Sequence, residues 1–364
     1  MLSHWPIHHT HAKPAIRARG TGGNPATCQQ SKATVENDMI TAQDIYAACQ
    51  QREAATRGLH RWLGASIIGH GCTRYIALSF RAAFDPNFSG RILRVFENGQ
   101  RAEDRIIADL EAARIVVHSR QKMLDLEGGK GHVGVTLDGI AEDAVESFVL
   151  ELKTADAKSW RDISNNGVQK AKPQHYGQMQ FGMLLTGIPA ALYVAENKDT
   201  NELYLERVPF NQAKADALKT LALRIVADAS GERCSERLDW WECKMCSAFS
   251  ICKGTTFPRA HCLTCCHATA TEGGAWTCAK YGNAMIPNDH LSKGCPEHIF
   301  IPWMVNLPAE FGNYFVKYTT PTGVRIWNCP RDIMPQIEDG EPPIILPSVE
   351  LAGKTWGDVV QISK

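Results

Sequence analysis

The segment between Cys234 and Cys295 constrains the fold of this chain more than any other feature. It holds nine of the 13 cysteines, together with many glycines, and shows little hydrophobic periodicity. An odd cysteine count with repeated C-x2-C spacing is more typical of reduced thiols that bind metal than of a disulfide framework. We therefore expect bound metal to replace a hydrophobic core in this segment.

Two cysteine sets can be separated by their spacing. The first, in WWECKMCSAFSIC, is a C-x2-C-x5-C run that supplies three thiolates of a cluster or tetrahedral site and needs a fourth ligand. The second, in HCLTCCHATATEGGAWTCAKYG and SKGCPEH, has spacing typical of a structural zinc ribbon. Its expected ligands are Cys262, Cys265, Cys278 and Cys295, with Cys266, His267 and His298 as substitutes. The neighbouring Trp276 and Tyr281 suit either a core or a base-stacking surface.

Composition sets wider limits. With 364 residues and 44% hydrophobic content, the chain can bury a full core in two or three structural units. Lys and Arg total 39, as do Asp and Glu, so binding to a polyanion would depend on local charge clusters. We expect a cytoplasmic protein without a membrane partner, because there is no signal-peptide-like run and no stretch of about 18 apolar residues. Residues 1–38 lack periodicity and are expected to be disordered, or an over-extended gene start before Met39.

Hydrophobic periodicity predicts an α/β fold. Three helices come first: one after Thr41, one through CTRYIALSFRAAF that carries Cys72, and a core-facing one over residues 92–115. From His132 the period changes to two, and HVGVTLDGI and SFVLELKT are predicted to pair as antiparallel strands joined by AEDAVE. An amphipathic helix from Pro173 and the strands AALYVAEN and ELYLERV follow, and a helix over residues 211–229 ends this unit.

This pattern places two acidic side chains and a lysine together. Glu151 and Lys153 are two residues apart on a predicted strand, so both point to one face of the sheet. Asp138 lies near the end of the preceding strand, where antiparallel pairing would bring it beside Glu151 and form an oxygen-rich site for Mg²⁺. A metal there would stabilise charge on a phosphate, while Lys153 would orient or deprotonate the attacking water. The alternative is an ordinary solvated strand face.

The order of these motifs resembles the PD-(D/E)xK nuclease superfamily, in particular phage lambda-type exonucleases and RecB-type nuclease domains. VLELKT follows LDGI at hairpin distance, and the glutamine-bearing helix HYGQMQFGM comes next. The resemblance implies a restriction-endonuclease-like core, in which a mixed central sheet is flanked by helices. It also implies that Asp138 and Glu151 bind Mg²⁺ or Mn²⁺ and that Lys153 positions the water. The sequence departs from the superfamily label at Leu137, which stands where the label has Pro.

The same resemblance implies two further site residues. Glu103, in ENGQRAEDRIIADL, fits the Gly-x-x-x-Glu pattern of the family and would come from the earlier helix, although a glutamate in the middle of a helix is usually solvent-facing. A glutamine would come from the later helix, where HYGQMQ offers two candidates on different helix faces. We prefer Gln178 to its rival Gln180.

The first cysteine set resembles the iron-sulfur staple of a subset of RecB-type nucleases, which includes CRISPR adaptation nucleases and the cluster-bearing subunit of bacterial end-resection complexes. These proteins combine one early cysteine with a late trio. The resemblance implies a [4Fe-4S] cluster that fixes the two ends of the nuclease core. Its ligands would be Cys72, Cys243, Cys246 and Cys252. Cys234 would substitute if Cys72 is only a small buried hydrophobe.

The expected organisation has four parts: a disordered segment 1–38, a nuclease core 39–252 closed by the cysteine cluster, a zinc-ribbon-like module 253–302, and a β-rich tail 303–364. The expected activity is metal-dependent DNA cleavage, with an exonuclease that processes double-strand ends for recombination or repair favoured, in a bacterial or phage-infected cell. The alternatives are a structure-specific or CRISPR-adaptation-like endonuclease, and a non-catalytic metal-stabilised DNA-binding protein. Single strands are a second potential substrate. Related exonucleases form ring-shaped oligomers and work beside a single-strand annealing protein.

Overall fold

A computed structural model describes residues 40–59, 61–333 and 344–362. The expectation of disorder over residues 1–38 lies outside these ranges. Ala42–Lys364 group into one compact unit. None of the helices in the described ranges has the length and apolar content that a membrane span requires.

Helices and strands alternate along the described chain. The α-helices are α1 (Ala42–Thr56), α2 (Ala65–Ile68), α3 (Thr73–Phe80), α4 (Gly90–Ala112), α5 (Ala157–Asn166), α6 (Val168–Ala171), α7 (Pro173–Thr186), α8 (Gln212–Val226), α9 (Trp241–Lys244), α10 (Phe249–Cys252), α11 (Ser348–Leu351) and α12 (Trp356–Ile362). The strands are β1 (Leu63–Gly64), β2 (Val116–His118), β3 (Met123–Asp125), β4 (Val133–Thr136), β5 (Gly139–Glu142), β6 (Ser147–Ala155), β7 (Ala190–Asn197), β8 (Leu203–Pro209), β9 (Ala268–Ala270), β10 (Trp276–Cys278), β11 (Ala284–Met285), β12 (Ala309–Phe311), β13 (Val316–Thr319), β14 (Arg325–Asn328) and β15 (Ile344–Leu346).

A five-stranded mixed sheet with the order β2-β5-β6-β7-β8 forms the centre of the fold. The pair β6–β7 is parallel and the other neighbours are antiparallel. Alternate residues of β6 face opposite sides, so Leu150 and Leu152 pack with Ile106 of α4, whereas Val149 packs with Met179 of α7. The prediction of an α/β fold with a mixed central sheet flanked by helices is confirmed.

One predicted strand is wrong. HVGVTLDGI does not run as a single strand, because β4 ends at Thr136 and pairs with β1 and β3 in a separate three-stranded sheet, while β5 starts at Gly139 and pairs with β6. Between them, Leu137 exchanges backbone hydrogen bonds with Gln121 and Lys122. The Asp-Gly pair permits a turn at this point, and the pairing of β4 with β3 sets where the strand ends. Asp138 therefore lies at the junction of two sheets.

The helix predictions differ from the structure in three details. Helix α4 is core-facing only in its second half: Ile107 and Leu110 are buried, whereas Phe96 is 47% exposed and packs edge-to-face on Phe88. Cys72 does not lie within a helix but is the N-cap residue of α3. Helix α7 is buried on several faces and not on one, because it lies between the central sheet and the helices α2 and α8.

The cysteine-rich segment shares the main hydrophobic core. Leu263, Trp276 and Leu291 are fully buried in the same apolar cluster as Phe80 of α3. The expectation that metal replaces a core here is therefore incomplete, because the short strands β9 and β10 bury apolar residues against the larger unit. Of the two ambiguous aromatic residues, Trp276 belongs to the core and Tyr281 is 58% exposed.

Arg81, at the end of α3, connects the cysteine-rich segment to the rest of the fold. Its side chain is 3% exposed and forms an ion pair with Asp228 at 2.8 Å. The same guanidinium donates to the carbonyls of Leu263 at 3.3 Å and Ala268 at 3.1 Å, and lies 4.9 Å from the ring centroid of Trp276. A buried cation is tolerated here because all these partners are present at once.

The final part of the chain forms a four-stranded sheet with the order β12-β13-β14-β15. The runs NYFVKYT and VRIWNC of this tail contain β13 and β14. Tyr318 and Ile326 of this sheet are buried together with Phe257 and Phe300, which precede residue 303. The tail thus packs against the end of the cysteine-rich segment.

Candidate active site and two cysteine cavities

Strand β6 holds Glu151 and Lys153 on one face of the central sheet. Glu151 is 3% exposed, and its partner in the parallel register is Tyr193 of β7. The ammonium of Lys153 forms a short ion pair with the Glu151 carboxylate and lies 3.7 Å from Oδ2 of Asp138. It also donates to the Leu152 carbonyl at 2.9 Å. The lysine thus lies between the two carboxylates.

Asp138 reaches this point from the β4–β5 junction. Its Oδ2 accepts the Leu152 backbone N–H at 2.8 Å, which fixes the aspartate to the strand that carries the other two residues. Because Asp138 is held by the backbone of β6, its position does not depend on a bound metal. The structure brings together the Asp, Glu and Lys that the motif places in one site.

The charges of the site are strongly coupled. Burial raises the pKa of Glu151 to about 7, with Lys153 opposing the rise and Asp138 adding to it. Burial alone would lower the pKa of Lys153, but the two neighbouring carboxylates raise it instead. Glu103 of α4 is half-buried, and its pKa is raised by burial and then by Asp138. Three acidic groups thus share one ammonium. We call Glu103, Asp138, Glu151 and Lys153 together the carboxylate site.

The donor set of the carboxylate site fits a hard divalent cation. Carboxylate oxygens are the ligands that Mg²⁺ and Mn²⁺ prefer. Oε1 of Glu151 is buried and accepts no well-directed hydrogen bond from the described residues, although it contacts the Lys153 ammonium. In the described ranges no three His, Cys, Asp or Glu side chains stand in ligating geometry around a common point. Here Lys153 occupies the position between the carboxylates, so metal binding requires the ammonium to move aside.

The two candidate glutamines of α7 have different surroundings. Gln180 is fully buried, and its side chain donates to the Pro209 carbonyl at 3.0 Å and accepts the Asn211 N–H at 2.7 Å. The Gln180 side chain thus holds the connection between β8 and α8 by hydrogen bonds. Gln178 is half-buried, and within the described ranges its side chain forms no hydrogen bond. The amide of Gln180 is thus already engaged, and the role of Gln178 stays a prediction.

Sequence reasoning missed Tyr193 and the contact it makes. Nδ1 of His175, at the start of α7, lies 3.0 Å from the hydroxyl oxygen of Tyr193. Burial and the nearby Lys153 and Lys172 lower the pKa of His175 to about 3, so the imidazole is neutral. The pair adjoins Glu151 through the β6–β7 register. A buried tyrosine beside a predicted catalytic strand is visible only once that register is known.

The first cysteine set lines a cavity of about 840 Å³, here named the large cysteine cavity. Its cysteines are Cys72, Cys234, Cys243, Cys246 and Cys252. Cys234 and Cys243 are the most clearly paired, with 3.8 Å between their Sγ atoms. The cavity thus contains the four expected ligands and the proposed substitute, all of them free thiols.

The second set lines a cavity of about 20 Å³, the small cysteine cavity. Its wall contains all four expected ligands, Cys262, Cys265, Cys278 and Cys295, with His267 and Glu297 beside them. Of the substitutes, Cys266 is exposed and interacts with the Cys265 thiol. His298 contacts the His261 carbonyl at 3.0 Å and the Thr264 hydroxyl at 3.2 Å, so its Nε2 is already engaged.

The chain matches no protein-family model and no curated protein by sequence. Its fold is similar to the crystal structure of SSO0001, with 16% identity over 57% of this chain and 94% of that one and a TM-score of 0.36. It is also similar to an alkaline exonuclease, LHK-Exo, from Laribacter hongkongensis, with 16% identity over 49% and 91% of the two chains and a TM-score of 0.35. A structure of LHK-Exo in complex with dAMP gives 17% identity, 51% and 91% coverage, and a TM-score of 0.34. Similarity at this level carries no functional argument, so function must be inferred from the side chains above.

Proposed function

We propose that this chain is a Mg²⁺- or Mn²⁺-dependent deoxyribonuclease that hydrolyses phosphodiester bonds at the carboxylate site. The observation that carries the proposal is the position of the Lys153 ammonium, in contact with Glu151 and 3.7 Å from Asp138. Two acidic groups and one cation on the middle strand of a mixed sheet and beside it match the chemical needs of phosphodiester hydrolysis. Asp138 and Glu151 would hold the ion.

When bound, the ion would supply positive charge that stabilises the phosphate transition state and makes the attacking water more acidic. The protein's own groups perform the remaining tasks. Lys153, which the neighbouring carboxylates keep protonated, would orient the attacking water by donating a hydrogen bond to it. Glu103 adds a further acidic group from α4, and Gln178 offers an unengaged amide from α7 for positioning.

The decisive experiment incubates the full chain with Mg²⁺ or Mn²⁺ and end-labelled linear duplex DNA. We expect cleavage by the wild type and a loss of about 10²–10³-fold in Lys153→Ala. Lys158→Ala is the matched control, because Lys158 is exposed on the neighbouring helix α5. Metal-independent binding without cleavage would favour a non-catalytic DNA-binding protein instead.

We further propose that the enzyme is an exonuclease acting on double-strand ends in recombination or repair. This choice rests on the resemblance to lambda-type exonucleases. A covalently closed circular duplex separates it from a structure-specific or adaptation-type endonuclease: an exonuclease leaves the circle intact, whereas an endonuclease cuts it. Ring-shaped oligomers and a strand-annealing partner follow from the same resemblance, and light scattering of the full chain tests the former.

We propose a [4Fe-4S] cluster in the large cysteine cavity, held by Cys72, Cys243, Cys246 and Cys252. The convergence of these residues from α3 and from the region of α9 and α10 supports this assignment. Protein prepared without oxygen is expected to be brown, and Cys243→Ala should be colourless. A colourless wild type that contains only zinc would contradict the cluster. If Cys72→Ala alone keeps the colour, Cys234 is the fourth ligand.

For the small cysteine cavity we propose one structural Zn²⁺ on Cys262, Cys265, Cys278 and Cys295. The volume of about 20 Å³ supports a single ion, because a water-sized particle needs about 10–15 Å³ and a four-iron cluster needs far more. Metal analysis of the purified protein should give one zinc per chain. Cys278→Ser should lower that ratio without changing the iron content.

A further inference from the structure

The large cysteine cavity has a second wall without cysteines. The start of α7 contributes Lys172 and His175, and α8 contributes Lys214. Helix α9 adds Trp241 next to the cysteines. At about 840 Å³, the cavity is within the range of ligand pockets, about 300–1,000 Å³. An iron-sulfur cluster would fill only the cysteine end.

The charge of the lining is strongly biased in a protein whose formal net charge is zero. Four Lys or Arg side chains line the cavity, against Glu242 as its acidic residue. Two of the cations have structural partners on the cysteine side: Arg233 donates to the Cys252 carbonyl at 2.8 Å, and Lys253 donates to the Arg237 carbonyl. The cations on the opposite wall are less engaged.

Lys172 and Lys214 are the cations that remain available. The Lys172 ammonium donates to the Ser159 hydroxyl at 3.2 Å and forms no ion pair with the described residues. The Lys214 ammonium is likewise without an ion-pair partner in the described ranges. Positive charge that lines a cavity without an acidic partner attracts an anionic ligand.

An exposed apolar rim lies beside these lysines. Trp241 is 65% exposed and Met245 is 85% exposed, and both line the cavity. An exposed tryptophan near lysines is a typical platform for bases of a single strand, because stacking accepts any base while the lysines contact phosphates. The cavity is too small for a duplex, but a few nucleotides fit.

One residue of the cavity wall contacts a neighbour of the carboxylate site. His175 lines it and is hydrogen-bonded through Nδ1 to the Tyr193 hydroxyl, whose strand neighbour is Glu151. Tyr193 is fully buried, so this contact separates the cavity from the carboxylate site and also connects the two.

We infer that the large cysteine cavity binds single-stranded nucleic acid, with phosphates on Lys172 and Lys214 and a base against Trp241. The inference rests on the proposed nuclease function, for which it names a binding surface for one strand of the substrate next to the carboxylate site. A competing explanation is that the lysines only balance the charge of cysteine thiolates. That explanation gives no role to an uncharged, exposed tryptophan.

The test measures fluorescence anisotropy of labelled oligo(dT) and of a blunt duplex with the full chain, without added Mg²⁺. Trp241→Ala and Lys214→Glu should each weaken oligo(dT) binding by about tenfold, with at most a twofold change for the duplex. The matched controls are Lys244→Glu on α9 and Lys219→Glu on α8, which do not line the cavity. They should bind like the wild type.

Unchanged oligo(dT) affinity in both test variants, or an equal loss for the duplex, would overturn the inference. Visible absorbance and the melting temperature of each variant show whether the cluster and the fold are retained. Should a variant misfold, photocrosslinking of the wild type to an iodouracil-bearing strand replaces it: crosslinks at Trp241 support the site, and crosslinks only elsewhere refute it. If the Trp241 and Lys214 variants still cleave DNA and bind oligo(dT) as tightly as the wild type, binding in the cavity is refuted and the nuclease proposal is retained. If the wild type binds oligo(dT) through these residues but cleaves no DNA with Mg²⁺ or Mn²⁺, the nuclease proposal is refuted and binding in the cavity is retained.

Discussion

The carboxylate site and the large cysteine cavity are neighbours built in opposite ways. Glu151, Lys153 and Asp138 are fixed by the hydrogen bonds of a nine-residue strand, so their geometry exists before any metal binds. The cysteines come from the N-cap of α3 and from two four-residue helices joined by loops. Short elements of that kind are marginal without a bound group. A cation is thus expected to serve chemistry at the first site and folding at the second.

The largest effect should be seen in Glu151→Gln. A neutral amide oxygen binds a divalent cation much more weakly than a carboxylate does, so we expect DNA cleavage to fall by about 10²–10³-fold. The melting temperature should change little, because the site is already crowded with acidic groups and the strand is held by its backbone. Glu127→Gln, at an exposed position, is the control. A melting temperature as low as that of a cysteine variant would remove the contrast between the two regions.

Cys246→Ser should show the converse behaviour. Loss of one ligand of the cysteine-held centre is expected to lower the melting temperature by roughly 5–10 °C, corresponding to about 3 kcal/mol in a chain of this size. The control is Cys49→Ser, since Cys49 is half-buried on α1 and lines neither cavity. Differential scanning fluorimetry measures both. Equal melting temperatures for the wild type and Cys246→Ser would show that the cavity needs no bound group.

A pH effect should distinguish the two sites further. The metal-free pKa of Glu151 is raised to about 7, chiefly by burial. A proton and a metal ion compete for this carboxylate. The affinity for the metal is therefore high above pH 7, where the carboxylate is deprotonated, and low below pH 7. The Mg²⁺ concentration for half-maximal cleavage should be about tenfold higher at pH 6 than at pH 8. A value that is the same at both pH values would rule out Glu151 as a ligand with this pKa.

The smallest effect is expected in Tyr193→Phe. The change removes the hydrogen bond to His175 while keeping the ring buried between the sheet and α7, so cleavage should fall by about three- to tenfold. The matched control is Tyr204→Phe on β8, which removes a hydroxyl that donates to Glu206 at 2.9 Å. Its cleavage rate should equal that of the wild type. Identical rates in all three proteins would confine Tyr193 to a packing role.

Local patterns predicted most of what the central sheet shows. The two-residue spacing of Glu151 and Lys153 was sufficient to place them on one face, and the preference for Gln178 agrees with the structural bonds that engage Gln180. The four cysteines that spacing grouped together also line one cavity. These features depend on residues close in sequence, for which period and spacing are informative.

Features that depend on distant pairing were not predictable. The break at Asp138 follows from β3, which pairs with β4 and ends the strand that the alternating pattern continues. Tyr193 becomes relevant only through the parallel register of β6 and β7, and the wall formed by Lys214 requires the packing of α8 beside α7. No window of a few residues contains that information.

The position of Arg81 has a consequence for how such chains can be shortened or recombined. A chain that stops at Cys252 would keep every side chain of the carboxylate site. Arg81 would nevertheless exchange two carbonyl acceptors and the ring of Trp276 for water, and Phe80 would lose the buried apolar neighbours Leu263 and Trp276. We therefore do not expect the part of the chain before residue 253 to be stable alone, and exchanging the later part between homologues would require position 81 to be exchanged with it.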